Sequence, residues 1–172
     1  MLKLFGALLV VITGGFIGFG IAEKYRLRPL QLRAIQSSLM MLQTEISYTA
    51  TPLPEALNRV AARCEFSAKE LFAETARGLQ KKQGLTASEA WASTLLNWQK
   101  KTVLKPGELS ILHNLGEVLG TSEREEQIKH LLLAREQLHE EEVKAEKDRS
   151  KNETMWKYAG LLISLLIVVI IY

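Results

Sequence analysis

The chain has 172 residues, 47% of them hydrophobic, and a net charge of +3 at neutral pH. All 19 acidic residues and all but one of the 22 lysines and arginines lie between Glu23 and Lys157, so both ends are apolar. The middle is long enough for one small helical bundle and too short for a two-domain enzyme. Its nearly balanced charge excludes a nucleic-acid reader, which needs basic residues clustered on one face. Lys81-Lys82 and Lys100-Lys101 are only pairs. The single cysteine, Cys64, excludes an intrachain disulfide and reads as a half-buried core residue of a domain in a reducing compartment.

The first element is the run from Leu4 to Ala22, broken only by Thr13. As a helix it spans about 28 Å, close to a bilayer core. Gly18-Phe19-Gly20 offers a cleavage-like spacing of small residues, so a signal peptide competes with an uncleaved anchor. The charge decides for the anchor. Only Lys3 precedes the run, whereas Lys24, Arg26, Arg28 and Arg33 follow it, marking the following side as the inner one.

After Arg28-Pro29, Leu32, Ile35, Leu39, Leu42 and Ile46 recur at helical spacing and predict a helix to about Tyr48. This stripe reads as a bundle core first and as a coiled-coil seam second. Thr51-Pro52 and Pro54 mark a stop and restart, with Thr51 as cap and a short helix to Arg63 carrying Ala56, Leu57 and Val60 inward. Ser67 is expected to cap the next helix, which uses Leu71, Phe72, Thr75 and Leu79 and stops before Gly84. Thr86 and Glu89 have capping-box spacing and open a helix with Trp91, Leu95 and Leu96. Lys105-Pro106-Gly107 breaks the chain again, Leu109, Leu112, Leu115 and Leu119 line the next helix, and Gly120 ends it.

Ser122 and Glu125 form a second capping box, and no helix breaker follows as far as Lys157. Ile128, Leu131, Leu132 and Leu138 give the last helix a core face; beyond them it turns almost wholly charged. A helix that loses its apolar stripe is expected to leave its bundle, so the long charged helix over about 123–155 is expected to run on beyond Leu138 as a charged stalk leading to the membrane. A faint internal echo, "ATPLPEAL" at 50–57 against "QGLTASEAW" at 83–91, fits two helical hairpins on one plan or ordinary capping.

The C-terminal run from Ala159 to Tyr172 spans about 21 Å as a helix, short for a crossing unless Trp156, Tyr158 and Tyr172 anchor it at the interfaces. Its preceding flank is basic, with Lys144, Lys147, Arg149, Lys151 and Lys157. Both flanks therefore predict ends outside and the middle inside. The expected domains are a transmembrane helix over 1–22, a cytoplasmic helical domain over 23–155 and a second transmembrane helix over 156–172. Gly14 and Gly18, and Gly160 and Ser164, are each four apart, and small residues at that spacing let helix backbones approach closely. An antiparallel hairpin packed on these four residues is one reading; chance is the stronger one, because glycines are common in membrane helices. Lys24, Arg26, Arg28 and Lys157 flank it, their role topology signalling rather than lipid recognition.

Little in the chain points to chemistry. His113, His130 and His139 are too scattered for a helix-borne metal pair, and "HEEE" lacks a second histidine. Cys64 has no nucleophile signature, "LGEVLGTSE" is no phosphate loop, and Glu140–142 has no calcium-loop spacing and reads as a solvated face. Neither apolar run holds an ionisable side chain, which argues against a transporter. The expectation is a protein without catalytic, metal or cofactor residues, whose helical module is a docking surface held at a membrane.

Three segments, "YTATPLPEAL", "LGEVLGTSEREEQIKHL" and "KNETMWKYAGLL", occur in order over essentially the whole chain and resemble the stage III sporulation protein AB family of endospore-forming bacteria. That family is similar in turn to the F-type platform proteins of type II secretion and type IV pilus machines. The resemblance implies an all-α, F-like module of about six helices flanked by two transmembrane helices. It implies a place in the channel complex between mother cell and forespore, in the mother cell's outer forespore membrane with the module in the cytoplasm. The implied partners are the complex's secretion-type ATPase and its other membrane subunits, with several copies compatible with such an assembly. Pro52 to Leu57 matches the platform proteins' helix start, and Gly116, Glu117 and Gly120 match their Gly-Glu-x-x-Gly turn, implying a partner contact there. A helix-end turn with a capping charge explains the same three residues. One module stands here where the platform proteins have two. The reading from another class is a self-associating coiled-coil scaffold built on the Leu32–Ile46 stripe or the charged stalk.

Overall fold

The computed structural model describes residues 2–48, 51–81, 84–120 and 123–171, and these hold six α-helices and no strand. The helices are α1 (Leu2–Tyr48), α2 (Leu53–Arg63), α3 (Phe66–Gln80), α4 (Ala87–Trp98), α5 (Pro106–Val118) and α6 (Arg124–Ile171), with a 3₁₀ turn at Gln99–Lys101. Contacts divide the chain into two compact units, Met1–Pro29 with Val143–Tyr172, and Leu30–Glu142. The two apolar runs are therefore not separate elements. They are the ends of the two long helices whose other halves help build the bundle.

The unit Leu30–Glu142 is an all-α bundle whose core begins with the Leu32–Ile46 stripe. Leu32, Ile35, Leu39 and Leu42 are fully buried and Ile46 nearly so. That stripe is covered by the chain's own helices and offers no seam to a second copy. Each break has a local cause. Pro52 and Pro54 start α2, with Pro54 in the first turn where a missing N–H does no harm. Thr86 closes a full capping box: its hydroxyl accepts from Glu89 N–H at 3.2 Å, and the Glu89 carboxylate accepts from Thr86 N–H at 2.8 Å. At the start of α5 the buried Glu108 carboxylate accepts from Lys105 N–H at 2.5 Å.

Phe72, Trp91 and Gly116 lie at the centre. The Trp91 indole meets Phe72 edge to face, ring centroids 5.7 Å apart, and its N–H donates to the Leu112 carbonyl at 2.8 Å. A Cβ on Gly116 would stand 2.2 Å from the indole. The glycine is thus the socket that lets α5 close on Trp91.

The structure departs from several sequence expectations. Pro29 lies inside α1 instead of ending a helix, and it is the last residue of the first unit's N-terminal segment. Pro52, not Thr51, precedes α2, and Glu65, not Ser67, precedes α3; neither caps with its side chain. Leu96 and Leu132 face outward, 61% and 46% exposed, while Trp98 takes the inward place on α4. Gly116 and Glu117 are helical and only Gly120 forms the turn, with φ +76°. Ser122 and its expected box lie outside the described residues.

Trp91→Phe keeps an aromatic ring against Phe72 but deletes the indole N–H bond to Leu112 and leaves a cavity beside Gly116. It should cost about 1–3 kcal/mol, read as a lower denaturant midpoint for the full chain in mild detergent.

Candidate functional site

Three sets of residues come into question, and the structure treats them differently. At the end of α5, Gly116 is buried beneath Trp91 and presents nothing to a partner. Glu117 points outward, its side chain 66% exposed, with His113 Nδ1 at 3.9 Å one turn back. Gly120 is exposed and holds the left-handed conformation that follows a helix end. Its N–H donates to Gln127 Oε1 at 3.3 Å, and a Cβ there would come within 2.7 Å of Ala87. The three residues are neighbours, but only Glu117 has chemistry to offer outward.

The second set lies within the unit formed by Met1–Pro29 and Val143–Tyr172. Here Gly14, Gly18, Gly160 and Ser164 meet. A Cβ on Gly18 would stand 2.7 Å from the Trp156 carbonyl oxygen and 2.9 Å from Gly160 Cα, and one on Gly14 would stand 2.5 Å from Ser164 Cβ. Backbone therefore lies against backbone, with Gly14 opposite Ser164 and Gly18 opposite Trp156 and Gly160, an antiparallel register. Ser164 is buried. Around this contact runs an open apolar groove of about 460 Å³, lined by Ile17 and Ile21 of α1 and Ile163 and Ile167 of α6 among others. Among the described residues α6 alone is a helix long and apolar enough to cross a membrane; 6% of its apolar window is buried.

The four flanking cations differ. Arg26 pairs with Glu23 at 2.6 Å, and Lys157 with Glu153 at 2.7 Å. Hydrogen bonds from Lys157 and Arg149 hold the Glu153 carboxyl below its ordinary pKa. Arg28 is buried and pairs with Asp148 at 3.2 Å. Lys24 is exposed and has no carboxylate within ion-pair distance among the described residues.

Those pairs also bear on the stalk expectation: from Val143 the charged stretch belongs to the other unit and not to the bundle, yet it keeps α1 as its partner. Beyond Leu138 the apolar stripe on α6 gives way to ion pairs with α1, so the charged stretch does not leave its partner. In the first unit Asp148 holds Arg28, beside the buried Ala145 and Ala22. In the bundle Glu142, read from sequence as part of a solvated face, is the centre of a cluster. Its carboxylate accepts from Gln36 at 2.9 Å and pairs with Arg33 at 2.7 Å, with His139 Nδ1 at 3.6 Å. No sequence signal marks Glu142 among its neighbours Glu140 and Glu141, because Arg33 and Gln36 lie more than a hundred residues away. Glu45 is a similar case, buried and held by Arg59 at 3.1 Å and Arg63 at 3.7 Å.

No group of three or more metal-ligating side chains exists among the described residues. Cys64 is half-buried, and burial pushes its thiol pKa up, so it is a poor nucleophile at neutral pH.

The profile of the stage III sporulation protein AB family matches residues 3–172. The chain is also 35% identical over 171 residues to the stage III sporulation protein AB of Bacillus subtilis strain 168, covering 99% of each chain. The chain belongs to this family. A solved structure of a stage III sporulation protein AB superposes with a TM-score of 0.67 at 32% identity, covering 73% of this chain and 98% of that one. The all-α bundle is thus a fold of the sporulation family, and the family profile, unlike the solved structure, spans both apolar runs as well as the bundle between them.

The Glu142 cluster gives this family member a testable acid response. Burial alone would raise the carboxyl's pKa, but the Gln36 and Arg33 hydrogen bonds, the Arg33 charge and His139 together hold it below its ordinary value. A carboxyl with a lower pKa folded than unfolded adds stability above its unfolded pKa of about 4.3 and loses it as the pH falls through the folded value. The denaturation midpoint should therefore drop between about pH 5 and pH 3. Glu142→Gln should lower the midpoint at pH 7 and shrink that drop.

Proposed function

We propose that this protein is a non-enzymatic, membrane-held assembly component of the sporulation channel complex between mother cell and forespore. The observation that carries the reading is the family match over residues 3–172, which takes in both apolar runs together with the bundle. In this reading α1 and α6 cross the mother cell's outer forespore membrane as an antiparallel hairpin. The F-like bundle then faces the mother-cell cytoplasm, where it meets a secretion-type ATPase and other channel subunits. The basic flanks support that orientation. Holding a small module at both ends fixes its height and orientation and lowers the entropy cost of joining a membrane-bound assembly.

Glu117 is the residue we assign to the ATPase contact, since its carboxylate projects from the α5 corner while Gly116 and Gly120 shape the backbone beneath it. The scaffold alternative loses the Leu32–Ile46 seam to the protein's own core.

Topology tests the reading first. With Cys64→Ser and Lys81→Cys, an exposed position past α3, a membrane-impermeant thiol reagent should label the chain only after the cells are permeabilised. Labelling in intact cells would put the bundle outside and end the proposal. Glu117→Ala should then weaken binding of the ATPase several-fold while moving the unfolding midpoint by no more than about 0.5 kcal/mol, as expected of a surface substitution. Equal ATPase binding by the variant would remove Glu117 from the contact.

A further inference from the structure

The apolar groove beside the Gly18–Gly160 contact has a direction. On α1 its lining includes Val10, Gly14, Ile17 and Ile21. That 4-3-4 spacing follows one face of the helix, and the next position on the face is Lys24. On α6 the lining begins at Trp156, whose backbone carbonyl lies against Gly18, so Trp156 and Lys24 mark the same end of the groove. That end carries two free donors. Lys24 has no carboxylate partner among the described residues, whereas Arg26, Arg28 and Lys157 are each held by an acidic residue. The Trp156 indole N–H likewise has no hydrogen-bond partner among the described residues. The remainder of the lining is apolar, and its one exposed hydroxyl, on Thr13, already donates to the Leu9 carbonyl at 2.7 Å.

We propose that this groove is a binding site for one anionic phospholipid, an acyl chain lying along Val10 to Ile21 and the phosphate at Lys24 and the Trp156 N–H. The inference rests on the hairpin crossing the membrane. A groove of about 460 Å³ is within the size of sites that hold small ligands. Its chemistry matches a lipid at both ends: nothing polar is left unsatisfied along the walls, and one uncompensated cation sits at headgroup level. A second copy of the hairpin fits less well. In the same membrane orientation it would bring its own Lys24 to the same depth, setting like charges together where Glu23 and Glu153 are already engaged by Arg26 and Lys157.

The test uses the full chain, delipidated in mild detergent and exposed to phosphatidylglycerol or to phosphatidylcholine with the same acyl chains, with retained lipid counted by native mass spectrometry. Wild type should retain a first phosphatidylglycerol about fivefold over phosphatidylcholine, the size expected for one lysine at an anionic surface. Lys24→Gln should erase that preference. The charge-neutral pair Glu23→Gln with Arg26→Gln should keep it, and Ile17→Trp, which fills the groove, should lower retention of both lipids. The site is overturned if Lys24→Gln retains the preference, or if the Glu23/Arg26 pair loses it equally. It is also overturned if Ile17→Trp leaves lipid retention intact while abolishing a cross-linked dimer. Flotation of wild type with vesicles of the same two lipids separates the levels. A chain that floats but shows no preference defeats this inference alone; a chain that does not float defeats the membrane reading with it.

Discussion

Two helices that carry no leucine stripe over much of their length must pair by other means, and the way α1 and α6 do so conditions everything else in this protein. In the proposed membrane setting, hydrocarbon gives no hydrophobic gain for bringing apolar side chains together, so association there depends on close packing and on satisfied polar groups. Gly14, Gly18 and Gly160 answer that constraint by having no side chains to hold the backbones apart. A leucine at Gly18 would have to occupy space already filled by the Trp156 carbonyl and by Gly160 itself. The contact fixes register as well as distance, because a shift of one residue on either helix would put a bulky neighbour such as Ile17 or Phe19 where a glycine now sits.

Outside the apolar runs the same two helices pair by charge. Arg28 with Asp148 in the first unit, and Arg33 and Gln36 with Glu142 in the bundle, replace the missing apolar stripe. Ion pairs of this kind contribute little when exposed and more specificity when partly buried. Arg28 and Glu142 are the shielded members of their pairs, with side chains 6% and 13% exposed. An uncompensated charge at either place would be costly, so these pairs act mainly against wrong registers. Further along, where Leu32, Ile35, Leu39 and Leu42 take over, ordinary hydrophobic burial is enough.

What could be read from the sequence follows the range of the interaction behind each feature. The Thr86–Glu89 capping box and the Leu32–Ile46 stripe were legible because partners or periodicity lie within a few residues. Gly14, Gly18, Gly160 and Ser164 were legible as a spacing, and the structure brings the four together. Pro29 misled because a proline normally ends a helix. Here the preceding Arg28 is held across to Asp148, and the proline is itself buried, so packing carries the chain through the lost hydrogen bond. Gly116 was read as part of a turn because its real reason, the Trp91 indole, is contributed by another helix. The charged stretch of α6 read as a free stalk for the same cause: nothing local announces that Asp148 and Glu142 have partners on α1.

The distinction bears on the functional residues. A Gly-Glu-x-x-Gly pattern looks like one site, yet its members perform separate tasks. Gly116 makes room for a core indole, Gly120 takes a positive φ against Ala87, and Glu117 alone is turned outward. Two of the three would therefore stay fixed under demands of folding even if no partner ever touched this corner. The flanking cations divide in the same way. Arg28 is held inside the protein by Asp148, Arg26 and Lys157 are neutralised by neighbours one turn away, and Lys24 has no carboxylate partner among the described residues. Residue type alone assigns all four to topology. The positions of their carboxylates set Lys24 apart from the other three, a difference that residue type does not carry.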